Sequence, residues 1–199
     1  KDLERKLIRT VLNPDERFGE DALRLLRAVR IAGQVGFEIE EKTLDSIKKN
    51  ASLIQNVAGE RIRDEIFKIL LSEKPSNGIN LLKDSGLLKE LIPELLDGVD
   101  MTQKGHHIDD VWTHNLKTLD NCESKNPVTR LAALIHDIGK PKTKRGTGED
   151  ATFYNHEYVG EKMIRQILER LRFSRNVIDK TALLVKNHMF YYNVDEVGE

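Results

Sequence analysis

The sequence predicts an all-α protein, a helical neck and body followed by a second helical unit. Three observations carry that prediction. Apolar residues recur at helical spacing almost everywhere along the 199 residues, and strand-like alternation is almost absent. Gly36, Pro75 and Gly86 punctuate the periodic runs. The composition is that of an ordinary soluble globular chain, 39% hydrophobic and 33% charged with a formal net charge of −1. Such a balance excludes a globally basic nucleic-acid binder, so any RNA-binding surface must be a local patch. The single cysteine, Cys122, excludes an internal disulfide and fits a reducing cytoplasm. No apolar run approaches membrane-spanning length and no signal peptide is visible, so no membrane partner is expected. The chain opens on Lys1 inside an amphipathic pattern, without Met, which predicts a fragment of something longer.

The elements follow in order. Residues 19–34 predict one helix with Leu23, Leu26 and Ile31 on its apolar face and Gly36 as its stop. Residues 41–54 and 58–73 predict two more, the latter with Ile62, Ile66, Ile69 and Leu70 on one face. Pro75 and Gly78 punctuate, and a short helix then ends at Gly86. Another apolar segment covers 87–96, and the polar, glycine-containing stretch 97–105 marks a boundary between 1–98 and 99–199. Beyond it, 109–121 and 127–138 predict helices, 140–155 is basic and irregular, and 156–171 and 174–188 are the last two helices, with Ser174 as N-cap. The two units are expected to pack end to end.

All six histidines lie between His106 and His188. Four of them fall where chemistry could use them: His114 in the middle of a helix, His136 beside Asp137 at a helix end, His156 at a helix start and His188 at the last helix end. A lone histidine near an apolar face is usually a satisfied core or surface residue. The adjacent His136–Asp137 pair weighs against that reading, because a neutral helix end has little reason to bury a carboxylate beside an imidazole. Neighbours on a regular helix point about 100° apart, but they can serve one site if Gly139 and Pro141 stop the helix there. Imidazole with carboxylate suits Zn, Mn, Fe or Co better than Mg.

The pattern "H…HDIGKPKT…FYNHEYVG…NH" resembles the HD superfamily of metal-dependent phosphohydrolases. The resemblance implies that His114, His136 and Asp137 are metal ligands and that His156 and His188 complete the site or hold a second metal. It implies that Lys140 faces substrate phosphate and that His156 or His188 handles the proton. The cofactor it implies is a divalent metal (Mg, Mn, Ni, Co or Zn), and the substrate a phosphate ester such as a 2′,3′-cyclic phosphate, a 2′-nucleotide or a related RNA end. One departure is visible. Active members usually end the ligand set with an aspartate, whereas here Met189 follows His188 and the next carboxylate is Asp195.

In the first half, Arg24, Arg27 and Arg30 recur every three residues along one helix edge, with Asp21 one turn before Arg24. Side by side, Asp21 and Arg24 would offer an acceptor and a donor in one plane, as a base edge does. The bland alternative is an exposed, salt-bridged helix face. The run from Asp2 to Leu70, with its Glu20-Asp21-x-x-Arg24 motif, resembles the neck of the bacterial class II tRNA nucleotidyltransferase/poly(A) polymerase family, the CCA-adding enzymes and their relatives. That resemblance implies that Asp21 and Arg24 bind the incoming nucleotide's base, CTP or ATP, and that Arg27 supports the nucleotide or the helix. Glu60, Arg61 and Glu65 match a following, mostly structural motif, and tRNA or another RNA is the implied partner. The family's catalytic head, with a Gly-Ser turn and paired aspartates for Mg, has no counterpart here, since no Gly-Ser dipeptide occurs in the chain. Two other readings remain open at this point: a stand-alone HD phosphohydrolase of a small nucleotide, and a non-catalytic RNA-binding or scaffold module.

Overall fold

A computed structural model describes residues 1–103, 109–147 and 150–189. Among these the fold is helical. Its extended pairing is one parallel ladder of β1 (Leu7–Ile8) with β2 (Glu38–Ile39) and a single antiparallel bridge from Arg145 to Thr152. No helix there is long and apolar enough to cross a membrane.

The expected helix over 19–34 is two helices, α1 (Pro14–Glu20) and α2 (Leu23–Val35). Asn13 caps α1 through Asp15 N–H, and Pro14 stands at the first turn, where its missing N–H costs nothing. The break falls at Asp21, which leaves the helical region with φ −149° and accepts from the Leu23 N–H at 3.2 Å. Gly36 does stop α2, in the left-handed conformation that glycine tolerates. The buried stripe of α2 is Leu25, Val29 and Ala32 with Leu26 and Gly33, whereas Ile31 lies off it and is exposed.

Helices α3 (Glu41–Asn50), α4 (Gly59–Leu70), α5 (Pro75–Asp84) and α6 (Leu87–Leu91) complete the first half, with 3-10 turns at Ala51–Asn56 and Pro93–Gly98. Ile62, Ile66, Ile69 and Leu70 of α4 are all buried, as their spacing predicts. Gly78 is not punctuation but part of the α5 interior. A Cβ on Gly33 would lie 2.7 Å from Gly78 Cα, and one on Gly78 would lie 2.6 Å from Ile69 Cγ2, so both glycines are contact points between helices.

Helices α7 (Val111–Asp120), α8 (Pro127–Ile135), the short α9 (Lys140–Thr143), α10 (His156–Arg170) and α11 (Arg175–Lys186) form the second half. Asp110 caps α7 and Asn126 caps α8. Ser174 is the N-cap residue of α11, but its hydroxyl makes no capping bond. The apolar core runs without a break across residue 98, from Leu91, Ile92 and Leu95 into Trp112, Leu116 and Leu119. Each fully buried aliphatic side chain contributes roughly 1.5–3 kcal/mol, so this shared core rather than end-to-end contact joins the halves. Polar clasps reinforce it. Arg130 donates to the carbonyls of Leu70 and Ser72 at 2.7 and 3.0 Å. Asp120 accepts from the Ser76 N–H at 3.0 Å and from its hydroxyl at 2.6 Å. Arg170 makes a two-pronged pair with Glu94 at 2.9 Å.

One buried carboxylate organises the arginine edge. Glu65 of α4 is 2% exposed, accepts from Arg30 Nε at 2.5 Å and from Lys68 Nζ at 2.8 Å, and lies 3.8 Å from Arg27 Nε. Burial pushes its carboxyl up, but Lys68 and Arg30 outweigh burial and hold it below its ordinary value. Glu65→Ala should therefore lower stability by about 2–3 kcal/mol, the range for charge-assisted bonds lost at a site that stays buried. Urea unfolding checks it, and a loss below about 0.5 kcal/mol would show the cluster to be dispensable.

Candidate metal centre

The local sequence explains how five side chains meet. The apolar run Leu131, Ala132, Leu134 and Ile135 buries α8, and α8 ends at Ile135 with His136 as its C-cap. Asp137 follows in a turn, which frees it from the roughly 100° helical offset to its neighbour. The stop is not made in the expected way. Gly139 has φ −80°, an ordinary right-handed value, and Pro141 lies inside the first turn of α9. Glycine is needed at 139 for another reason: a Cβ there would sit 2.1 Å from the His156 carbonyl oxygen and 2.7 Å from Gly160 N. The start of α9 thus lies backbone against backbone on the first turn of α10, which carries His156.

Asp137 is at the centre and 1% exposed. Its Oδ2 lies 3.3 Å from His136 Nε2 and 3.6 Å from His114 Nε2, while its Oδ1 lies 3.3 Å from His156 Nε2 and 3.5 Å from His188 Nε2. The ring nitrogens also face one another, His114 to His136 at 3.2 Å and His156 to His188 at 3.1 Å. Three imidazoles are oriented by the carbonyl three residues earlier. His136 Nδ1 meets Ala133 O at 2.9 Å, His156 Nδ1 meets Phe153 O at 2.8 Å, and His188 Nδ1 meets Val185 O at 2.6 Å. A carbonyl can only accept, so each Nδ1 carries a proton, and a ring with no second proton presents a bare Nε2 to the centre. In that form His156 and His188 set two lone pairs 3.1 Å apart, a repulsion that a cation between them would relieve.

Lys140 Nζ lies 2.6 Å from Asp137 Oδ2, out of hydrogen-bond alignment, which leaves Oδ2 a buried oxygen without a hydrogen bond. Lys140 donates instead to Gln103 Oε1 at 2.5 Å. Burial raises the Asp137 carboxyl, but the contacts from His136, His156 and His188 outweigh it and hold the group far below the usual carboxylate range. For His188 burial pulls the other way, and Asp137 with the Val185 carbonyl raises it above its ordinary value. Two donor groups result, His114–His136–Asp137 and Asp137–His156–His188, each with ligand atoms within 4.8 Å of one another. The orphaned oxygen and converging bare nitrogens fit a divalent cation, one or two sharing Asp137. The cluster floors a cavity of about 720 Å³, walled by Phe153, Tyr154, Asn155 and Met189.

All five expected ligands and Lys140 thus meet in one place. His106, His107 and Asp195 lie outside the described residues. Gln103 is missing from the sequence expectations. It sits in a stretch read as a polar turn, where nothing but tertiary contact distinguishes it from other glutamines.

The arginine edge turns out differently. Arg24 pairs with Glu20 at 2.7 Å and its guanidinium donates to the Arg17 carbonyl at 2.9 Å, and Asp21 pairs with Arg61 at 3.3 Å, so the two side chains expected to pair are not joined to each other. The break at Asp21 is the reason, since the extended residue gives one carboxylate oxygen to the Leu23 N–H and the other to Arg61. Arg24 is partly exposed and Arg27 exposed, while Glu60 stands exposed in the first turn of α4.

Comparison with known proteins agrees with this organisation. Residues 36–98 match the family described as the probable RNA and SrmB-binding site of polymerase A, and residues 105–196 match the HD domain. The chain is 33% identical to the A-adding tRNA nucleotidyltransferase of Deinococcus radiodurans, covering 98% of this chain and 47% of that protein. It is 36% identical to the CC-adding tRNA nucleotidyltransferase of Thermus thermophilus, covering 95% and 46%. Among solved structures, the Thermotoga maritima CCA-adding enzyme complexed with tRNA superposes at TM-score 0.57 with 20% identity, over 94% of this chain and 40% of that one. The chain spans about half the length of the curated relatives it matches. By these matches and by the order of its helices, the chain belongs to the bacterial tRNA nucleotidyltransferase/poly(A) polymerase family and carries that family's body region and HD domain.

Proposed function

We propose that this chain is the neck, body and HD portion of an enzyme that builds or repairs tRNA 3′ ends, and that its histidine–aspartate cluster is a metal-dependent phosphohydrolase site. The observation that carries the second part is the convergence of four Nε2 atoms on the buried Asp137 carboxylate. His114, His136 and Asp137 would hold one ion, and Asp137, His156 and His188 would complete the site or hold a second. A bound divalent ion would polarise a phosphoryl oxygen and lower the pKa of water near it. The chain's own residues do the rest. The Ala133, Phe153 and Val185 carbonyls fix the three ring orientations, Asp137 supplies the negative charge, and the cavity admits a phosphate ester. Lys140 holds Asp137 and is itself held by Gln103, so its role is to position the carboxylate as well as to face phosphate. His156 is held at Nδ1 by the Phe153 carbonyl with Nε2 turned to the centre, which favours a ligand role over proton transfer. The test is direct. Purified protein should bind Mn, Co, Ni, Mg or Zn in isothermal titration and hydrolyse 2′,3′-cyclic or 2′-phosphate esters only with metal. Neither binding nor hydrolysis with any of the five ions would defeat the reading.

For the transferase part, Asp21, Arg24 and Arg27 select CTP or ATP in the whole enzyme, whose polymerase head uses Mg and whose partner is tRNA. The names of the curated relatives support it. Both A-adding and CC-adding proteins are among them, so either activity suits this neck. Binding of a base would require Arg24 to leave Glu20. Asp21→Ala with Arg24→Ala in the whole enzyme should scramble the choice between CTP and ATP and leave ester hydrolysis intact. Unchanged nucleotide choice would remove these residues from selection.

A further inference from the structure

Beside the metal cavity lies a second cavity of about 320 Å³, and Tyr154 and Asn155 belong to both. The same two segments wall them. In 140–145, Lys140 faces the cluster, while Lys142, Lys144 and Arg145 face the second cavity. In 152–156, His156 faces the cluster and Tyr154 stands between the two. The Arg145–Thr152 bridge, 3.0 and 2.8 Å in its two bonds, locks the segments together at the second cavity's edge. Tyr154 is 78% exposed, an unusual place for a large aromatic ring, and none of the three cations forms an ion pair with a described residue. Glu94 is the acid close enough to Lys142 to feel its charge, and Arg170 already satisfies it.

Exposed aromatic ring and unpaired cations side by side are the chemistry of single-stranded nucleic acid: a base stacks on the ring and a phosphate meets the cations. Building on the phosphohydrolase reading, we propose that the second cavity binds the nucleotide next to the one whose phosphate reaches the histidine cluster. The ligand of the site is then the end of a single-stranded polynucleotide rather than a free mononucleotide. Tyr154 is the stacking platform, and Lys142, Lys144 and Arg145 take the adjoining phosphate.

The test uses wild-type protein in EDTA, where no turnover occurs, and a fluorescein-labelled hexaribonucleotide ending in a 3′-phosphate. Anisotropy should show about ten-fold weaker binding for Tyr154→Ala and near-normal binding for Tyr154→Phe, since stacking needs the ring and not the hydroxyl. Competition by a mononucleotide phosphate should be indifferent to Tyr154→Ala. Arg145→Ala should flatten the salt dependence by about 0.7 in log–log slope, the loss of one phosphate contact on a single strand. Affinity for the hexamer unmoved by Tyr154→Ala and by Arg145→Ala would overturn the proposal, as would equal affinity for hexamer and mononucleotide. Binding through Tyr154 without hydrolysis under any metal would instead break the hydrolase reading and leave the subsite standing.

Discussion

Asp137→Asn should abolish divalent-metal binding and lower ester hydrolysis by roughly a hundred- to a thousand-fold, the several kcal/mol that a metal contributes to a phosphoryl transition state. Asp137 is the only carboxylate shared by both donor groups. The amide keeps its shape but loses the charge that draws a cation among four imidazoles. The change also strands Lys140, whose side chain is 11% exposed and whose ammonium lies 2.6 Å from Oδ2. Leaving a buried charge without its counterpart costs about 3–5 kcal/mol, so a poorly folded variant could mimic a catalytic defect. The double variant Asp137→Asn with Lys140→Met separates the two, because it removes both charges together. It should melt near wild type in EDTA and still bind no metal in isothermal titration. Full metal occupancy in either folded variant would take Asp137 out of the site.

Gly139→Ala should be the most damaging glycine-to-alanine substitution among the described residues. Its methyl would need the space of the His156 carbonyl oxygen, 2.1 Å away, and of Gly160 N, 2.7 Å away. Backbone cannot swing aside as a flexible side chain does, so α9 and α10 must separate. Overpacking of this kind costs about 3 kcal/mol. The displaced backbone carries His156 on one side and, two residues back, Asp137 on the other. A shift near 1 Å in such a frame costs on the order of a hundred-fold in activity. Thermal melts in EDTA report the packing loss, and metal titration reports the displaced ligands. Wild-type stability and metal affinity together in Gly139→Ala would mean that the two helices do not lie as close as described.

The residue types of the metal centre were legible before any fold was known. His114, His136, Asp137, His156 and His188 are identifiable by kind and by order, and all five meet. The reason for Gly139 was not legible. As sequence it reads as a helix stop, yet its conformation is right-handed and its purpose is a contact with a segment 17 residues later. Gly78 likewise reads as punctuation in the sequence, yet it is the place where α2 crosses α5. Local rules see what a glycine permits at its own φ, and they are blind to what passes overhead.

The arginine edge teaches the complementary lesson. Spacing correctly put Arg24, Arg27 and Arg30 along one side, but it supplied the wrong partners. Asn13 and Pro14 start a helix that ends before Asp21, so Asp21 turns toward Arg61, and Arg24 takes Glu20 instead. Arg30 finds Glu65, 35 residues away and buried.

By itself, then, the sequence determined the helical class, most helix positions, the family resemblance and the five converging side chains, because each is written in periodicity, capping chemistry or residue type. Tertiary structure alone decided which carboxylate each arginine meets, why Gly33, Gly78 and Gly139 are glycines, and that Gln103 holds Lys140. It also decided that Tyr154 stands between two cavities. These depend on distances between segments far apart in the chain, and such distances are set by how buried faces pack.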